Sequence, residues 1–523
     1  MRPAPRTGTA AVVGLLSGAA ALGTAELVAA FTGARTGPVI AVGGAIVDRT
    51  PEWLKDFAIR TFGTHDKAVL LTTTGVAVAL LAIAAGVAAR RRPRLGVALI
   101  VLLGLAGAAA ALTRPGAGAS AALPSALGTA AGAGALLALT RLAGRADTAQ
   151  GAAAPGGGDV PGGADAPPGG GRRTFLAAAA GTAALAATAG GIGRMLAGRR
   201  SVEAARQAVR LPAPAGPAAP LPAGADLRIP GLSPFTTPNG DFYRVDTALV
   251  LPQVDPAGWT LRIHGMVDRP LEITFDELLR LPLLERDITL TCVSNEVGGP
   301  YVGHARWLGA SLAGLLRRAG VRRGADQLLS RSADGWTCGT PVATVLDGRD
   351  ALLAVAMNGE PLPVRHGFPA RMVVPGLYGY VSATKWVVDL KVTRFTDDEA
   401  YWTARDWAEQ APIKTLSRID VPKPLQRVRA GRVPVAGMAW AQHRGIEAVQ
   451  VRVDGGPWRS ARLAPVPGTD TWRQWVLEWD AAPGTHRIEA RAVDATGAVQ
   501  PEARVPPFPS GATGRHSVVV TVD

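Results

Sequence analysis

The chain has 523 residues, which is too long for one hydrophobic core and predicts about two to four domains. Hydrophobic residues make up 48% and aromatic residues 5%, and the mean hydropathy of +0.17 indicates membrane segments. The positive charge behind the net charge of +14 is carried almost entirely by arginine, many arginines cluster at the ends of apolar segments, and no nucleic-acid-binding motif accompanies them. Two cysteines exclude a disulfide scaffold, and the absence of Cys-x-x-Cys-His excludes covalent c-type haem.

The first part of the chain carries four apolar segments, which predict a four-helix transmembrane region over residues 1–145. A membrane span needs about 20 apolar residues, and the segments cover 9–31, 68–89, 95–112 and 120–140. The basic loop 90–94 is cytoplasmic by the positive-inside rule, which also places the N-terminus and the end of the fourth span inside. None of the seven histidines lies in a predicted span, so no b-type haem is expected there.

A fifth apolar segment follows a flexible Gly/Ala/Pro-rich linker, which is predicted over 146–171. Arg172 and Arg173 precede Phe175-Leu176 and an Ala/Gly-rich run, so 172–198 is either a twin-arginine export signal or an ordinary fifth transmembrane helix. Both alternatives predict a multi-pass protein of the cytoplasmic membrane whose later domains lie on the extracytoplasmic side. A Pro/Ala-rich linker is predicted over 199–224.

From residue 225 the composition becomes globular, and mixed elements indicate an α+β domain over 225–398. We predict strands over 259–265 and 371–376, a short helix over 275–279 capped by Thr274, and an amphipathic helix over 308–319. Over 411–523 the short strand patterns 433–440, 446–453, 472–479, 486–493 and 517–522 alternate with turn signals. That spacing predicts an immunoglobulin-like β-sandwich.

Cys292 stands out because the β-prone run 288–293 delivers its thiol into an Asn/Gly-rich turn. Gly298 and Gly299 allow the backbone to approach a bulky group closely. A thiolate is a nucleophile and a soft metal ligand, and a buried structural cysteine is the alternative. A disulfide with Cys338 is a competing hypothesis for an exported protein, and it would abolish metal binding.

Several motifs between 231 and 522 resemble, in order and spacing, the sulfite oxidase family of molybdenum–pterin enzymes. They are TPNGDFYR at 237–244, LTCVSNEVGG at 290–299, GHARWLG at 303–309, DGW at 334–336, NGEPL at 358–362, HGFPARMVVPG at 366–376 and SATKW at 382–386. The resemblance implies a multi-domain fold: the transmembrane helix bundle, an α+β sulfite-oxidase-like molybdopterin-binding domain, and the immunoglobulin-like sandwich as a dimerisation-type domain.

The resemblance also implies the site residues and a molybdenum–molybdopterin cofactor. Cys292 would be the catalytic protein thiolate on molybdenum, a soft ligand suited to such a metal. Cationic and donor groups would hold the pterin and its phosphate; these are Asn239, Tyr243 and Arg244 from the N-terminal side, Arg306, and His366, Arg371, Ser382 and Lys385. Taken singly, the histidine also suits a turn, Arg371 a strand edge, and Lys385 a snorkelling position beside an aromatic ring.

One departure from the family bears on the substrate. Sulfite oxidases proper carry arginines shortly after the cysteine, where this chain has Asn295-Glu296-Val297-Gly298, which disfavours sulfite. The family also includes a periplasmic methionine-sulfoxide reductase subunit, whose substrate site is not matched either. The resemblance therefore implies oxygen-atom transfer on an unidentified small substrate.

The resemblance has consequences for partners, and two other functional classes stay open. No haem domain is fused, so a separate electron-transfer partner, a cytochrome or a quinone-linked protein, is implied, and a homodimer is compatible with the sandwich. One alternative is a Cys-nucleophile enzyme that uses His304 or His366 as the base for Cys292. The other is a cofactor-free surface protein that binds a partner through the sandwich.

Overall fold

The computed structural model describes residues 7–523 except 52, 53, 55, 56, 59, 60, 63–65, 115, 116, 153–169 and 200. The chain divides into two compact units. The first comprises Met1–Ser201 with Thr247–Leu251, and the second comprises Val202–Asp246 with Pro252–Asp523.

The first unit is helical where the structure describes it. Its helices are α1 (Thr7–Thr32), α2 (Pro38–Arg49), α3 (Asp66–Arg91), α4 (Pro93–Leu112), α5 (Leu123–Ala152) and α6 (Gly170–Arg199). Helix α2 was not predicted; it begins with Pro38 at its first turn and is too short to cross a bilayer. Helix α1 packs against α3, α5 and α6.

Small residues allow the helices of the first unit to pack closely. A Cβ on Gly14 of α1 would collide with the backbone carbonyl of Ala82 on α3, and one on Gly86 of α3 with that of Ala10. Such contacts are typical of helices in membranes, where backbones approach through glycine and alanine. The Ala/Gly-rich composition that raised the hydropathy therefore also sets the helix spacing.

Among the residues that the structure describes, five helices are long and apolar enough to span a membrane, judged by length and composition. They are Thr7–Thr32, Asp66–Arg91, Pro93–Leu112, Ala119–Ala146 and Gly171–Leu196; the first four predicted segments fall within the first four of them, and the fifth, 172–198, extends two residues beyond the last. The predicted linker 146–171 lies mostly outside the described residues, at 153–169. Its described ends belong to α5 and α6, so helix extends further into this stretch than the composition indicated.

The second unit begins with two sheets and short helices over residues 202–393. The strands are β1 (Thr260–Gly265), β2 (Leu271–Thr274), β3 (Leu283–Thr291), β4 (Val302–Ser311), β5 (Gln327–Ser332), β6 (Thr337–Pro341), β7 (Leu352–Met357), β8 (Glu360–Pro361), β9 (Arg371–Val373) and β10 (Val387–Thr393). The helices are α7 (Glu203–Ala208), α8 (Phe275–Arg280), α9 (Leu312–Ala319) and α10 (Val342–Leu346). One sheet has the order β2-β1-β10-β5-β6 and the other β3-β4-β7-β8, with β9 paired to β7.

The C-terminal part of the second unit consists of two further sheets, ordered β11-β13-β17-β16 and β12-β19-β18-β14-β15. Their strands are β11 (Leu416–Val421), β12 (Arg427–Val428), β13 (Gly431–Trp440), β14 (Ile446–Val453), β15 (Arg459–Ser460), β16 (Arg462–Leu463), β17 (Arg473–Ala481), β18 (Gly484–Asp494) and β19 (His516–Val522). Val435 and Trp475 from one sheet share a buried core with Val449, Ile488 and Val520 from the other. The two sheets therefore pack face to face.

The helix predicted over 308–319 is shorter than expected. Residues 308–311 belong to β4 and pair with β7, and the helix begins only at Leu312, after Ser311 caps it by accepting a hydrogen bond from the Gly314 amide at 3.1 Å. Strand β4 is buried on both faces, so its apolar run lacks the alternation that marks a half-exposed strand. The predicted Thr274 cap is present as a full capping box with Glu277.

Candidate active site

Cys292 is the first residue beyond the buried end of β3, as the β-prone run predicts. Its backbone amide donates to the Tyr301 carbonyl at 2.9 Å, and its carbonyl accepts from the Asn295 amide at 3.1 Å. The Asn295 side-chain oxygen accepts from the Tyr301 amide at 2.8 Å. Gly298 completes the loop with a φ of 83°, a conformation that favours glycine. These contacts fix the loop 292–301 at both ends.

The thiol of Cys292 is free and buried, with 8% of the residue exposed. Burial raises its pKa, while hydrogen bonds with Ser294 and the positive charge of Lys385 act in the opposite direction. Cys338 is also free and buried, with its Sγ atom 3.7 Å from the Thr340 hydroxyl. The disulfide hypothesis is therefore wrong for this structure. A buried thiol with a raised pKa is not a ready nucleophile, and it ionises most easily with a cation or metal beside it.

Neither candidate histidine serves as a base for Cys292. His366 donates through Nε2 to the Asn239 carbonyl at 3.1 Å, and burial together with the charge of Arg371 lowers its pKa to about 3. His304 shares a hydrogen bond through Nδ1 with the Thr289 hydroxyl at 3.1 Å. Within the described residues no hydrogen bond joins either ring to Cys292. The arrangement lacks the nucleophile–base contact that a Cys-nucleophile enzyme requires.

Arg371 is an unusual buried cation. Only 5% of the residue is exposed, its guanidinium lies 4.9 Å over the Trp307 ring, and its Nη1 donates to the His366 carbonyl at 3.1 Å. Its Nε has no hydrogen-bond partner, and no carboxylate pairs with it, among the described residues. Burial lowers its pKa to about 10. A buried, uncompensated guanidinium is costly, so this one is suited to an anionic ligand.

Lys385 forms a second cationic group at the site. Its Nζ donates to the Asp246 carboxylate at 2.6 Å and to the Val245 carbonyl at 3.2 Å. Arg244 donates to the same carboxylate through Nε at 2.7 Å and Nη2 at 3.0 Å. Burial lowers the pKa of Lys385 to about 8 although Asp246 opposes the shift. Two cations therefore share one carboxylate, which leaves this edge of the site positively charged.

The structure brings most of the predicted residues together. The charges of Cys292 and Arg371 both act on Tyr243, whose pKa is raised well above its ordinary range, first by burial and then by the thiol. Asn239 joins the same region: its Nδ2 donates to the Met357 carbonyl at 3.1 Å, and its backbone carbonyl accepts from His366. The N-terminal segment and the 366–385 segment therefore meet around Cys292, as the motifs implied.

Ser382 and Arg306 have other contacts in the structure. The Ser382 hydroxyl donates to the carbonyls of Leu377 and Tyr378 at 3.1 and 3.0 Å, which holds the turn before it. Arg306 donates through Nε and Nη2 to Asp287 at 3.0 and 2.7 Å. Because neighbouring strand residues point to opposite faces, Arg306 lies across β4 from Trp307 and Arg371. The Arg306 side chain is therefore directed away from the Arg371 guanidinium.

The C-terminal sheets supply contacts that the sequence did not predict. The Gln442 amide, only 1% exposed, donates to the Thr289 carbonyl at 3.1 Å and to the Thr291 hydroxyl at 2.9 Å. The Trp472 backbone amide donates to the Thr289 hydroxyl at 2.8 Å, and Arg418 donates to the Gly299 carbonyl at 2.9 Å. These residues brace the strand and the loop that carry Cys292. More than 100 positions separate each pair, so no local pattern announces them.

The residues of the site fit an anionic cofactor that already carries a bound metal ion. The described residues contain no cluster of three or more His, Cys, Asp or Glu side chains that could hold a metal ion by themselves. They do offer one free soft ligand at Cys292, an unpartnered Arg371 Nε, an unpartnered and buried Asn295 Nδ2, and the cation of Lys385. Thiolates suit soft metals, and arginine and lysine suit phosphates.

Comparison with known proteins decides between the remaining possibilities. Residues 248–402 match the family described as "Oxidoreductase molybdopterin binding domain". The chain is 31% identical over 321 residues to the sulfite oxidase of Gallus gallus, an alignment that covers 52% of this chain and 69% of that protein. The chain belongs to the sulfite oxidase family. Its expected class, a molybdopterin-dependent oxidoreductase of the sulfite oxidase type, and its expected molybdenum–pterin cofactor are confirmed.

Two further proteins are similar to about half of the chain. The mitochondrial sulfite oxidase of Homo sapiens is 29% identical over 323 residues, and this chain spans 58% of its length. The solved sulfane dehydrogenase SoxCD of Paracoccus pantotrophus is 26% identical, with 55% of this chain and 84% of that chain covered and a TM-score of 0.49. The alignments with the two sulfite oxidases cover 52% of this chain, so they leave nearly half of it unaligned.

Proposed function

We propose that this protein is a membrane-anchored oxidoreductase that catalyses oxygen-atom transfer on a small substrate outside the cytoplasmic membrane. The observation that carries the proposal is the free, buried thiol of Cys292 together with the buried guanidinium of Arg371, which has no carboxylate partner among the described residues; both act on Tyr243. When bound, the molybdenum–pterin supplies two-electron redox chemistry, and the protein supplies binding, orientation and electrostatics.

Individual residues have distinct roles in this proposal. Cys292 is the protein ligand of molybdenum, held by the fixed loop 292–301. Arg371 and Lys385 neutralise the anionic pterin and its phosphate, which relieves the cost of burying both cations. His366 stays neutral, because its pKa lies near 3, and positions Asn239 through their hydrogen bond. Tyr243 stays a neutral phenol beside the thiol.

The loop after Cys292 bears on the substrate. Glu296 is exposed in this loop, where sulfite oxidases proper carry an arginine, and its carboxylate repels a doubly charged anion. We therefore propose a substrate with less negative charge than sulfite. Oxygen-atom transfer moves one oxygen atom and two electrons, so a separate electron-transfer partner, a cytochrome or a quinone-linked protein, must exchange those electrons.

The remaining parts of the proposal concern organisation. Residues 1–145 form the transmembrane region, 172–198 a fifth span or twin-arginine signal, 225–398 the cofactor domain and 411–523 the immunoglobulin-like domain. Support comes from the five apolar helices, from the arginines of the 90–94 loop, and from the face-to-face sheets of the C-terminal part. Alkaline phosphatase fusions test the topology: fusions after residue 225 should be active, and fusions within 90–94 inactive.

Metal and pterin content test the enzyme class directly. We expect about one molybdenum per protomer, with pterin fluorescence, in detergent-purified wild type made in a host that inserts the cofactor. Cys292→Ser should lose redox activity and bind the metal less tightly. Cys338→Ser is the matched control and should keep both, because a serine hydroxyl can keep the hydrogen bonds that its thiol makes with Thr340, Ser330 and Thr384. Wild type without metal or pterin would overturn the proposal.

A further inference from the structure

A cluster of arginines lies in the C-terminal sheets, apart from the Cys292 site. A pocket with a cavity volume of about 350 Å³ opens on the β14-β18-β19 face. It is lined by Arg452, Gly455, Arg487, Glu489, Glu502, Arg504 and Arg515. The volume is at the lower end of the range for small-molecule sites. Four cations and two carboxylates line this space, so its lining carries a net positive charge.

The two carboxylates are already engaged by two of the arginines. Arg452 donates through Nε and Nη2 to Glu489 at 3.0–3.2 Å. Arg515 lies 3.5 Å from Glu489 and 2.9 Å from Glu502. Glu489 is buried, so it needs these partners, and Glu502 is 70% exposed. The carboxylates therefore offset Arg452 and Arg515 and leave the other two cations uncompensated.

Arg487 and Arg504 converge on one hydroxyl. Their Nη2 atoms donate to the Ser517 Oγ at 3.4 and 3.2 Å, and no carboxylate pairs with either side chain within the described part of the chain. Two guanidiniums that donate to one shared atom repel each other. An anion placed between them would convert that repulsion into attraction.

The remaining arginines are held in place by an aromatic ring. Arg452, Arg491 and Arg515 lie 4.6, 4.2 and 5.1 Å from the centre of the Trp458 ring. Burial, and then the charges of the other two, lower the pKa of Arg491. The Nε atom of Arg515 is buried with no hydrogen-bond partner in the described structure. A preorganised guanidinium with an unused donor is suited to binding an oxyanion.

We propose that this pocket binds a phosphate- or sulfate-type oxyanion, with Arg487 and Arg504 as its principal ligands. Arginine donates to such oxygens through two parallel N–H groups, which gives both strength and geometric fit. The pocket is larger than one phosphate, so the oxyanion can be free in solution or part of a phosphodiester such as a lipid headgroup.

Isothermal titration of the full-length protein in detergent tests the site. The probes are inorganic phosphate, inorganic sulfate and glycerophosphoglycerol, the soluble headgroup of phosphatidylglycerol, in a chloride buffer. Removing one charge-assisted pair costs about 1.5–3 kcal/mol, so Arg487→Gln and Arg504→Gln should each weaken binding about tenfold or more. Arg432→Gln is the matched control, because Arg432 is 75% exposed on β13 of the other sheet, and it should bind like wild type.

The outcomes separate the two sources of the anion. Tighter binding of inorganic phosphate or sulfate assigns the pocket to a free dianion, and tighter binding of glycerophosphoglycerol assigns it to a headgroup; both support the site. No saturable binding of any probe, or binding that the Arg487 and Arg504 variants leave unchanged, would overturn it. The result is independent of the metal content, since Arg487 and Arg504 donate to Ser517 and to the Arg515 carbonyl and, within the described residues, to no residue of the loop 292–301.

Discussion

Replacing Gln442 tests whether the C-terminal sheets hold the strand that carries Cys292. Gln442→Leu keeps the volume but removes both N–H groups that reach the Thr289 carbonyl and the Thr291 hydroxyl. Each buried acceptor left without its donor costs about 1–3 kcal/mol. The variant also removes the Gln442 Oε1, which is buried without a partner in the described structure. The net expected loss of unfolding free energy is therefore about 2 kcal/mol.

Calorimetry of the detergent-purified protein measures this loss. A destabilisation of about 2 kcal/mol should lower the Tm of the second unit by about 3 °C, because the entropy of unfolding grows with chain length. Gln426→Leu is the control, since its exposed side chain only accepts from the Lys423 amide, and it should unfold like wild type. Because Thr291 directly precedes Cys292, Gln442→Leu should also release molybdenum faster during dialysis.

A second substitution sharpens the test. Thr291→Val removes the hydroxyl that Gln442→Leu leaves without a donor, so the double variant should be less destabilised than the sum of the single variants. A Gln442→Leu protein with the Tm and metal retention of wild type, or strict additivity in the double variant, would refute the idea that this amide braces the strand.

Three further predictions concern the loop, the sheet and the pH response. Gly298→Ala should lower stability and molybdenum content more than Gly497→Ala: both glycines have φ near 84°, but only at Gly298 would the added Cβ collide with His516. Arg306→Leu should cost about 3 kcal/mol, measured by thermal unfolding, because it removes the cationic partner of the buried Asp287 carboxylate and leaves beside it the His304 ring, 3.6 Å away, whose pKa burial lowers; a selective loss of pterin without destabilisation would contradict this. His366 binds a proton below about pH 6.5 in the unfolded state but only near pH 3 in the folded state, so the free energy of unfolding falls as the pH drops from about 6.5 to about 3. His366→Gln should flatten the profile of Tm against pH over this range. An unchanged slope would contradict the prediction.

Sequence reasoning succeeded where the signal is local. Cys292 at a strand end, the Thr274 cap and the long apolar helices follow from local sequence, and the structure has them at or near the predicted positions. The helix start at Leu312 was misplaced because β4 is buried on both faces and carries no period-two pattern. Tertiary pairing with β7, and not local propensity, decides those four residues.

The site was predictable only in part, for a similar reason. Arg371 and Lys385 were identified from the order of the motifs. Their partners depend on the packed structure: Arg371 has no carboxylate beside it among the described residues, and Lys385 shares Asp246 with Arg244. The same holds for Arg306, whose partner Asp287 lies on the neighbouring strand. Which charges pair across two strands depends on the register of those strands, and the register could not be predicted from the sequence.

The bracing of β3 by the C-terminal sheets limits how this protein can be divided or recombined. Trp472 is buried, donates from its indole to the Phe235 carbonyl and packs beside His304. Its loss would therefore leave the strand that carries Cys292 without part of its packing. A fragment that ends before residue 411 would lack Trp472, Gln442 and Arg418 and the contacts that they make with β3 and the loop 292–301. Exchange of cofactor domains between relatives should therefore disturb the strand of Cys292 less when both parts are transplanted as one piece.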